Sequence, residues 1–198
     1  MNSELEIRNV HGPQLEPFID GLGRLRMTVF REYPYLYDGT LENEREYLKS
    51  YLHSPRSLVA LVLHHGEVVG ATTCVPMADE GPEFQEAFIK GGYDVEDICY
   101  FGESILLPKY RGQGLGTEFF KRREAHAQTL GALITTFCAV DRPHYHPLRP
   151  AHYVSLDGLW TKQGYTLHPE LRATFAWKET GEAVASAKTL TFWLKHWP

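Results

Sequence analysis

The densest chemistry in this chain of 198 residues lies in Glu103-Ser104-Ile105-Leu106-Leu107-Pro108-Lys109-Tyr110-Arg111-Gly112-Gln113-Gly114-Leu115-Gly116-Thr117. An apolar run stops at Pro108, a turn carries alternate glycines, and a helical period begins directly after it. Glycines let a backbone approach a ligand with no Cβ in the way. The first turn of a helix has N–H groups without intrahelical partners and sits at the positive end of the dipole. With Arg111 at its lip, such a turn suits a phosphate. A second group is Tyr33, Tyr35, Tyr37 and Asp38, whose aromatic faces and carboxylate could hold a cation, though the same residues also make an ordinary packed turn before Gly39.

Other reactive side chains are dispersed. Cys74, Cys99 and Cys138 stand in separate apolar stretches, and an odd count without ligand spacing reads as reduced, buried thiols. Among ten histidines, neither His64-His65 nor His144-Tyr145-His146 has the helical spacing of zinc ligands, so no metal site is expected. A mononucleotide P-loop needs lysine then Ser/Thr after its last glycine, and Gly116 is followed by Thr117. A dinucleotide fingerprint fails on its third glycine, which falls at Thr117 or Phe119, although Asp141 ends the next strand where a ribose-binding acid would sit.

Hydrophobic residues at 43% and charged residues at 23% describe an ordinary globular chain and exclude disorder. The length suggests one domain spanning residues 1–198. A net charge of −5 argues against a nucleic-acid binder. No apolar run reaches membrane-spanning length, and the acidic start Met1-Asn2-Ser3-Glu4 does not read as a signal peptide, so a cytoplasmic location is expected.

The elements that must position the glycine turn follow from periodicity. Strands are predicted at Glu4 to Val10, Ser57 to Leu63, Val68 to Val75, Asp97 to Leu107, Ala132 to Val140, Thr174 to Trp177 and Thr189 to Trp193. Helices are predicted from Pro13 to Phe30, where Gly21 and Gly23 signal a kink or a late start, and at Leu41 to Leu52, Glu83 to Lys90, Gly114 to Leu130 and Ser155 to Gln163. Asp141 to Ala151, with Pro143, Pro147 and Pro150, is a stiff loop. The order gives an α/β fold whose sheet is antiparallel at first and parallel around one β-α-β unit.

Arg111-Gly112-Gln113-Gly114-Leu115-Gly116 resembles the acyl-CoA signature of the GNAT superfamily of N-acetyltransferases, R/Q-x-x-G-x-G/A. Leu106-Leu107-Pro108-Lys109-Tyr110 is similar to that family's hydrophobic-x-Pro-x-Tyr lead-in, and Trp160-Thr161-Lys162-Gln163-Gly164-Tyr165 to its aromatic-x-x-x-Gly-aromatic motif. The resemblance covers roughly residues 4 to 196. It implies a mixed, centrally splayed β-sheet of six to seven strands with helices on both faces. Acetyl-CoA, as cosubstrate, would lie in the splay between the fourth and fifth strands. The backbone of Arg111, Gly112, Gln113, Gly114, Leu115, Gly116 and Thr117 would cradle its pyrophosphate, and main-chain groups of Ile105, Leu106 and Leu107 would pair with the pantetheine arm.

The activity implied is transfer of the acetyl group to a primary amine, on a small molecule or a protein, directly within a ternary complex. Glu103 stands where similar enzymes often carry a glutamate base; it could equally only position the substrate ammonium or neighbouring backbone. Trp160 occupies the place of a tyrosine acid in many relatives, and an indole cannot serve as an acid near neutral pH. That departure favours an alternative reading, a non-catalytic acyl-CoA sensor or regulatory module; a nucleotide-dependent oxidoreductase is a third. Selectivity is expected from Tyr33 to Gly39 and Asp141 to Ala151. The last strand, with Phe192 and Trp193, could pair across a homodimer.

Overall fold

Alternating apolar residues build seven strands of one mixed sheet in the computed structural model, which describes residues 5–198. The strands are β1 (Leu5–Val10), β2 (Leu58–His64), β3 (Glu67–Pro76), β4 (Ile98–Leu106), β5 (Ile134–Val140), β6 (Thr166–Trp177) and β7 (Ser186–His196). Their order is β1-β2-β3-β4-β5-β7-β6. Only β4 and β5 run parallel. The start Met1 to Glu4, on which the leader and the first strand residue were read, lies outside the described residues. Among the described residues, no helix is long and apolar enough to cross a membrane.

The helices are α1 (Ile19–Phe30), α2 (Leu41–Tyr47), α3 (Lys49–His53), α4 (Pro82–Lys90), α5 (Leu115–Thr129) and α6 (Asp157–Lys162). On one face Leu22, Leu25, Leu48, Tyr51 and Phe88 pack on Leu61, Ile105 and Phe192. On the other, Phe120 and Ala127 of α5 meet Cys74, Phe101, Phe137 and Tyr165. Each large apolar side chain so buried contributes about 1.5–3 kcal/mol. These two layers fix where α1 and α5 lie against β4.

Several boundaries differ from expectation for identifiable reasons. Of the kink or late start expected in the first helix, the late start is found: a 3-10 turn at Gly12–Phe18 containing Pro17 precedes α1, which runs unbroken from Ile19 through Gly21 and Gly23. Gly21 and Gly23 instead allow close packing, since a Cβ would lie 3.1 Å from Val68 and 2.9 Å from Leu41. Thr40 caps α2 in a reciprocal box with Asn43. The expected helix from Leu41 to Leu52 is divided at Leu48, where ψ is −4°. β6 is three times its expected length; Pro169, a register shift between His168 and Arg172, and a largely exposed side-chain pattern disguise it. β7 lies between β5 and β6, so Phe192 and Trp193 are core residues and not an edge open to a second chain.

Candidate functional site

The parallel pair β4 and β5 is held by three register pairs, Ile98 with Ile134, Cys99 with Thr135 and Tyr100 with Thr136. Both strands continue past this point without pairing to each other. β4 stays on β3 as far as Leu106, opposite Gly70, and β5 stays on β7 as far as Val140, opposite Leu190. The sheet therefore opens into a V whose walls are two backbone edges. Such groups need partners, and an extended ligand can supply them. A bulge accompanies the parting: Gly102 and Glu103 together oppose Thr73 alone, between the pairs Cys74–Phe101 and Thr72–Ser104. Bulges bend and twist a strand. Gly102 is required here, because a Cβ would sit 2.0 Å from the Tyr51 hydroxyl.

The glycine turn closes the outer end of the V. β4 passes through a 3-10 turn at Pro108–Tyr110 into Gly112 and Gly114, with φ of +74° and +83°. Gly114 is the N-cap of α5, and no side chain caps that end. An L-residue at +83° would be strained, so glycine is dictated by the turn itself. Arg111 spans the turn, donating Nε to the Leu106 carbonyl at 3.0 Å and Nη1 to Glu32 at 3.0 Å. Gln113 donates to the Lys109 carbonyl. Ile105 is buried, while the glycines and Arg111 are exposed or nearly so. The structure thus brings the residues from Ile105 to Thr117 together along one wall and at its mouth.

Glu103, 2% exposed, turns toward α1. Its carboxylate forms an ion pair with Arg26, and it accepts a hydrogen bond from the Thr73 hydroxyl. Arg26 also donates Nε to Glu44 at 2.5 Å, and its guanidinium lies 3.9 Å from the centre of the Tyr47 ring. Two buried carboxylates so share one guanidinium. Beside them the Tyr100 hydroxyl and Cys138 Sγ meet across the V at 3.4 Å. Burial pushes both up, the thiol to about 12, so neither ionises near neutral pH. Glu80 completes this group and, among the described residues, forms no ion pair; burial lifts its carboxyl to about 7. Arg26 and Glu44 carried a sequence signal, since Leu22-Leu25-Arg26-Val29 and Leu41-Glu44-Leu48-Tyr51 each place a charge on an otherwise apolar helical stripe. Glu80, in the segment after β3, carried none.

The two segments expected to select a substrate meet each other. Arg142 donates to the carbonyls of Pro34 at 2.6 Å and Tyr35 at 3.1 Å and pairs with Glu179. The Tyr33 ring contacts His146 and, edge-on at 4.7 Å, Tyr153. Tyr35 packs on Phe30 and Trp177, and burial raises its phenol. Tyr37 is half-buried, its phenol raised by burial and then by the adjoining Glu44. Asp38 is bound to Arg31 and Lys178, each at 2.9 Å. Trp160 is wedged between Phe137 and Trp193, at ring distances of 5.1 and 5.2 Å on the α5 side of the sheet.

The architecture has relatives. A model of the acetyltransferase (GNAT) family matches residues 24–152. A solved ribosomal-protein-alanine N-acetyltransferase from Brucella melitensis is similar over 97% of this chain and 99% of its own, with a TM-score of 0.59 and 14% identity. An N-acetyltransferase from Staphylococcus aureus Mu50 has a TM-score of 0.60, covering 98% and 99% of the two chains at 11% identity. The structure of yncA from Salmonella typhimurium, described as an acetyltransferase with its cofactor acetyl-CoA, has a TM-score of 0.59, covering 98% and 94% at 12% identity. At these identities the solved structures show a common fold. No curated protein sequence matches the chain.

Proposed function

Because the chain belongs to the acetyltransferase (GNAT) family, as the match over residues 24–152 shows, we propose that it moves an acetyl group from acetyl-CoA to a primary amine. One observation carries this reading: the V between β4 and β5 leads directly to an uncapped helix N-terminus behind Gly112 and Gly114. An extended pantetheine arm fits the edge of β4 that faces the V along Ile105, Leu106 and Leu107, and a pyrophosphate fits the N–H groups between Arg111 and Thr117, from Gly112 to Gly116. Trp160 backs the V through its contacts with Phe137 and Trp193.

The amine attacks the thioester carbonyl directly, its nitrogen losing a proton while the thiolate departs. The acceptor approaches from the face of α1 and α2, where Glu44, Glu80 and Glu103 outnumber the single Arg26 and favour a cation. Tyr33 and Tyr35, joined to the Asp141 to Ala151 loop through Arg142 and His146, border that approach. Tyr37 and Asp38 shape it from behind, through Glu44 and through the pairs with Arg31 and Lys178. Glu103 takes the positioning role left open beside the base role: held by Arg26 and Thr73, it anchors the bulge.

A thermal-shift comparison of acetyl-CoA, CoA, NADH and ATP tests the cosubstrate. At about a hundred times its dissociation constant a ligand adds about 2.7 kcal/mol, or about 5–11 °C for a domain of this size. A shift with CoA compounds alone is expected; a shift with NADH, or none, overturns the reading. Gly116→Ala sharpens the test. A Cβ there meets nothing within 4 Å in the folded chain, so stability is kept while acetyl-CoA affinity falls on the order of tenfold.

A further inference from the structure

We infer that Glu80, and not Glu103, accepts the proton that the attacking amine releases, an assignment that rests on the amine acetyltransfer proposed above. Three buried glutamates gather on the acceptor side of the V. Glu44 and Glu103 share Arg26, and a carboxylate that holds a guanidinium gives up that pair to take a proton. Glu80 is 7% exposed and, among the described residues, forms no ion pair. Its neighbour Asp79 shows the contrast, being bound to Arg56 at 2.6 Å and to Ser54 at 2.5 Å.

The strongest influences on Glu80 come from neutral or acidic groups. From α3 come Ser50, whose hydroxyl lies 3.5 Å from Oε1, and Tyr51; from the chain after it come the Gly81 N–H and, at the start of α4, Glu83. Tyr47 of α2 and Cys138 of β5 also feel its charge. Glu80 itself is fixed by its own backbone, whose carbonyl accepts from Gln85 Nε2 at 2.7 Å. The Tyr51 hydroxyl connects it to the bulge. That hydroxyl is fully buried, meets Thr73, Tyr47 and Glu80, and packs on Gly102, yet makes no hydrogen bond of ordinary geometry. It thus lies between the bulge of β4 and the Glu80 carboxylate, which burial holds near neutrality, the range in which a base works best.

In the step assigned, the ammonium gives one proton to the Glu80 carboxylate, and the freed nitrogen forms the N–C bond. The C–S bond breaks, the thiolate takes the second proton from nitrogen, and Glu80 returns the first to solvent. Acetyl-CoA and an ammonium become an amide, CoA thiol and one proton.

The test measures CoA thiol release by the full chain from acetyl-CoA with three probes: a polyamine, a lysine-containing peptide and a peptide with a free α-amino group. The best of these is followed against pH in wild type, Glu80→Gln, Glu80→Asp and Glu103→Gln, with acetyl-CoA binding measured separately. Wild-type kcat/KM is expected to rise through an apparent pKa near 7. Glu80→Gln loses that limb and falls by roughly 10²–10⁴-fold in kcat, binds acetyl-CoA as before, and Glu80→Asp regains the limb. Retention of the limb in Glu80→Gln, or its loss in Glu103→Gln alone, overturns the assignment. Acetyl-CoA binding without transfer to any probe overturns the amine reading and this assignment with it; failure to bind acetyl-CoA overturns the proposed function itself. As a second readout, the Glu80 carboxyl followed by carbon NMR titrates near neutrality; titration in the ordinary acid range refutes the assignment whatever the kinetics.

Discussion

Glu80→Gln has a consequence for stability that needs no substrate. The folded chain holds the Glu80 proton up to about pH 7, whereas the unfolded chain releases it at the ordinary value of 4.5. Between those values the native state binds more protons than the unfolded state, so this group makes stability fall as pH rises. Integrating the two titrations gives a loss of about 2.5 kcal/mol between about pH 5 and pH 8. Glutamine has nearly the same volume and does not titrate. The variant should therefore gain on wild type by that amount over the interval, about 5–10 °C in Tm for a domain of this size. The assay is paired denaturant unfolding at both pH values, in which every other titrating group is common to the two proteins and cancels. A difference that does not change with pH, or one that favours wild type at pH 8, would mean that Glu80 is ionised and satisfied in the folded state.

Two further substitutions probe the same region. Arg26→Met leaves Glu44 and Glu103 buried without a cation and should cost about 3–5 kcal/mol, most of it recovered in Arg26→Met/Glu44→Gln/Glu103→Gln; denaturant melts in which the triple variant is no more stable than the single one would contradict the shared ion pair. Gly102→Ala drives a Cβ to within 2.0 Å of the Tyr51 hydroxyl and 2.6 Å of Thr73 Oγ1, at a cost of about 1–3 kcal/mol. Adding Tyr51→Phe should return part of it, and strictly additive effects in the double-mutant cycle would show that the two residues do not meet.

The α/β order, the single parallel pair and the glycine turn were legible because each has a local cause. Strand and helix periods are set within a few residues, and Gly112 and Gly114 announce left-handed backbone wherever they fold. The splay was legible only through resemblance. The parting is accompanied by a bulge, and a bulge is a mismatch between Gly102-Glu103 and Thr73, thirty residues away. Glu103 shows the limit most clearly: its position on the strand was readable, but its partner Arg26 was not, because pairing of α1 with β4 is a tertiary event. β6 is hidden in the sequence for the opposite reason. As an edge strand with a solvent-facing side, it has little of the apolar alternation that identifies a strand.

The arrangement of charge on the α1 face argues for a working site more than for a structural one. One guanidinium shared by two carboxylates, beside a third carboxylate with no ion pair among the described residues, is a poor way to stabilise a core, since apolar residues of the same volume would avoid the desolvation of each charge. Sites that violate local rules of packing are where function is concentrated. All of these groups lie where β4 and β5 separate, on the side of the sheet opposite α5. The glycine turn and α5 can bind the nucleotide end of a cosubstrate from their own face, and the V can carry its acyl end through the sheet. On the proposed function, the unbalanced charge would then meet the acceptor on the far face, where a net negative environment suits an ammonium and a carboxylate near neutral pKa can discharge it. On that same proposal, binding and proton removal are divided between the two faces, and the bulge at Gly102 and Glu103 is the point at which they join.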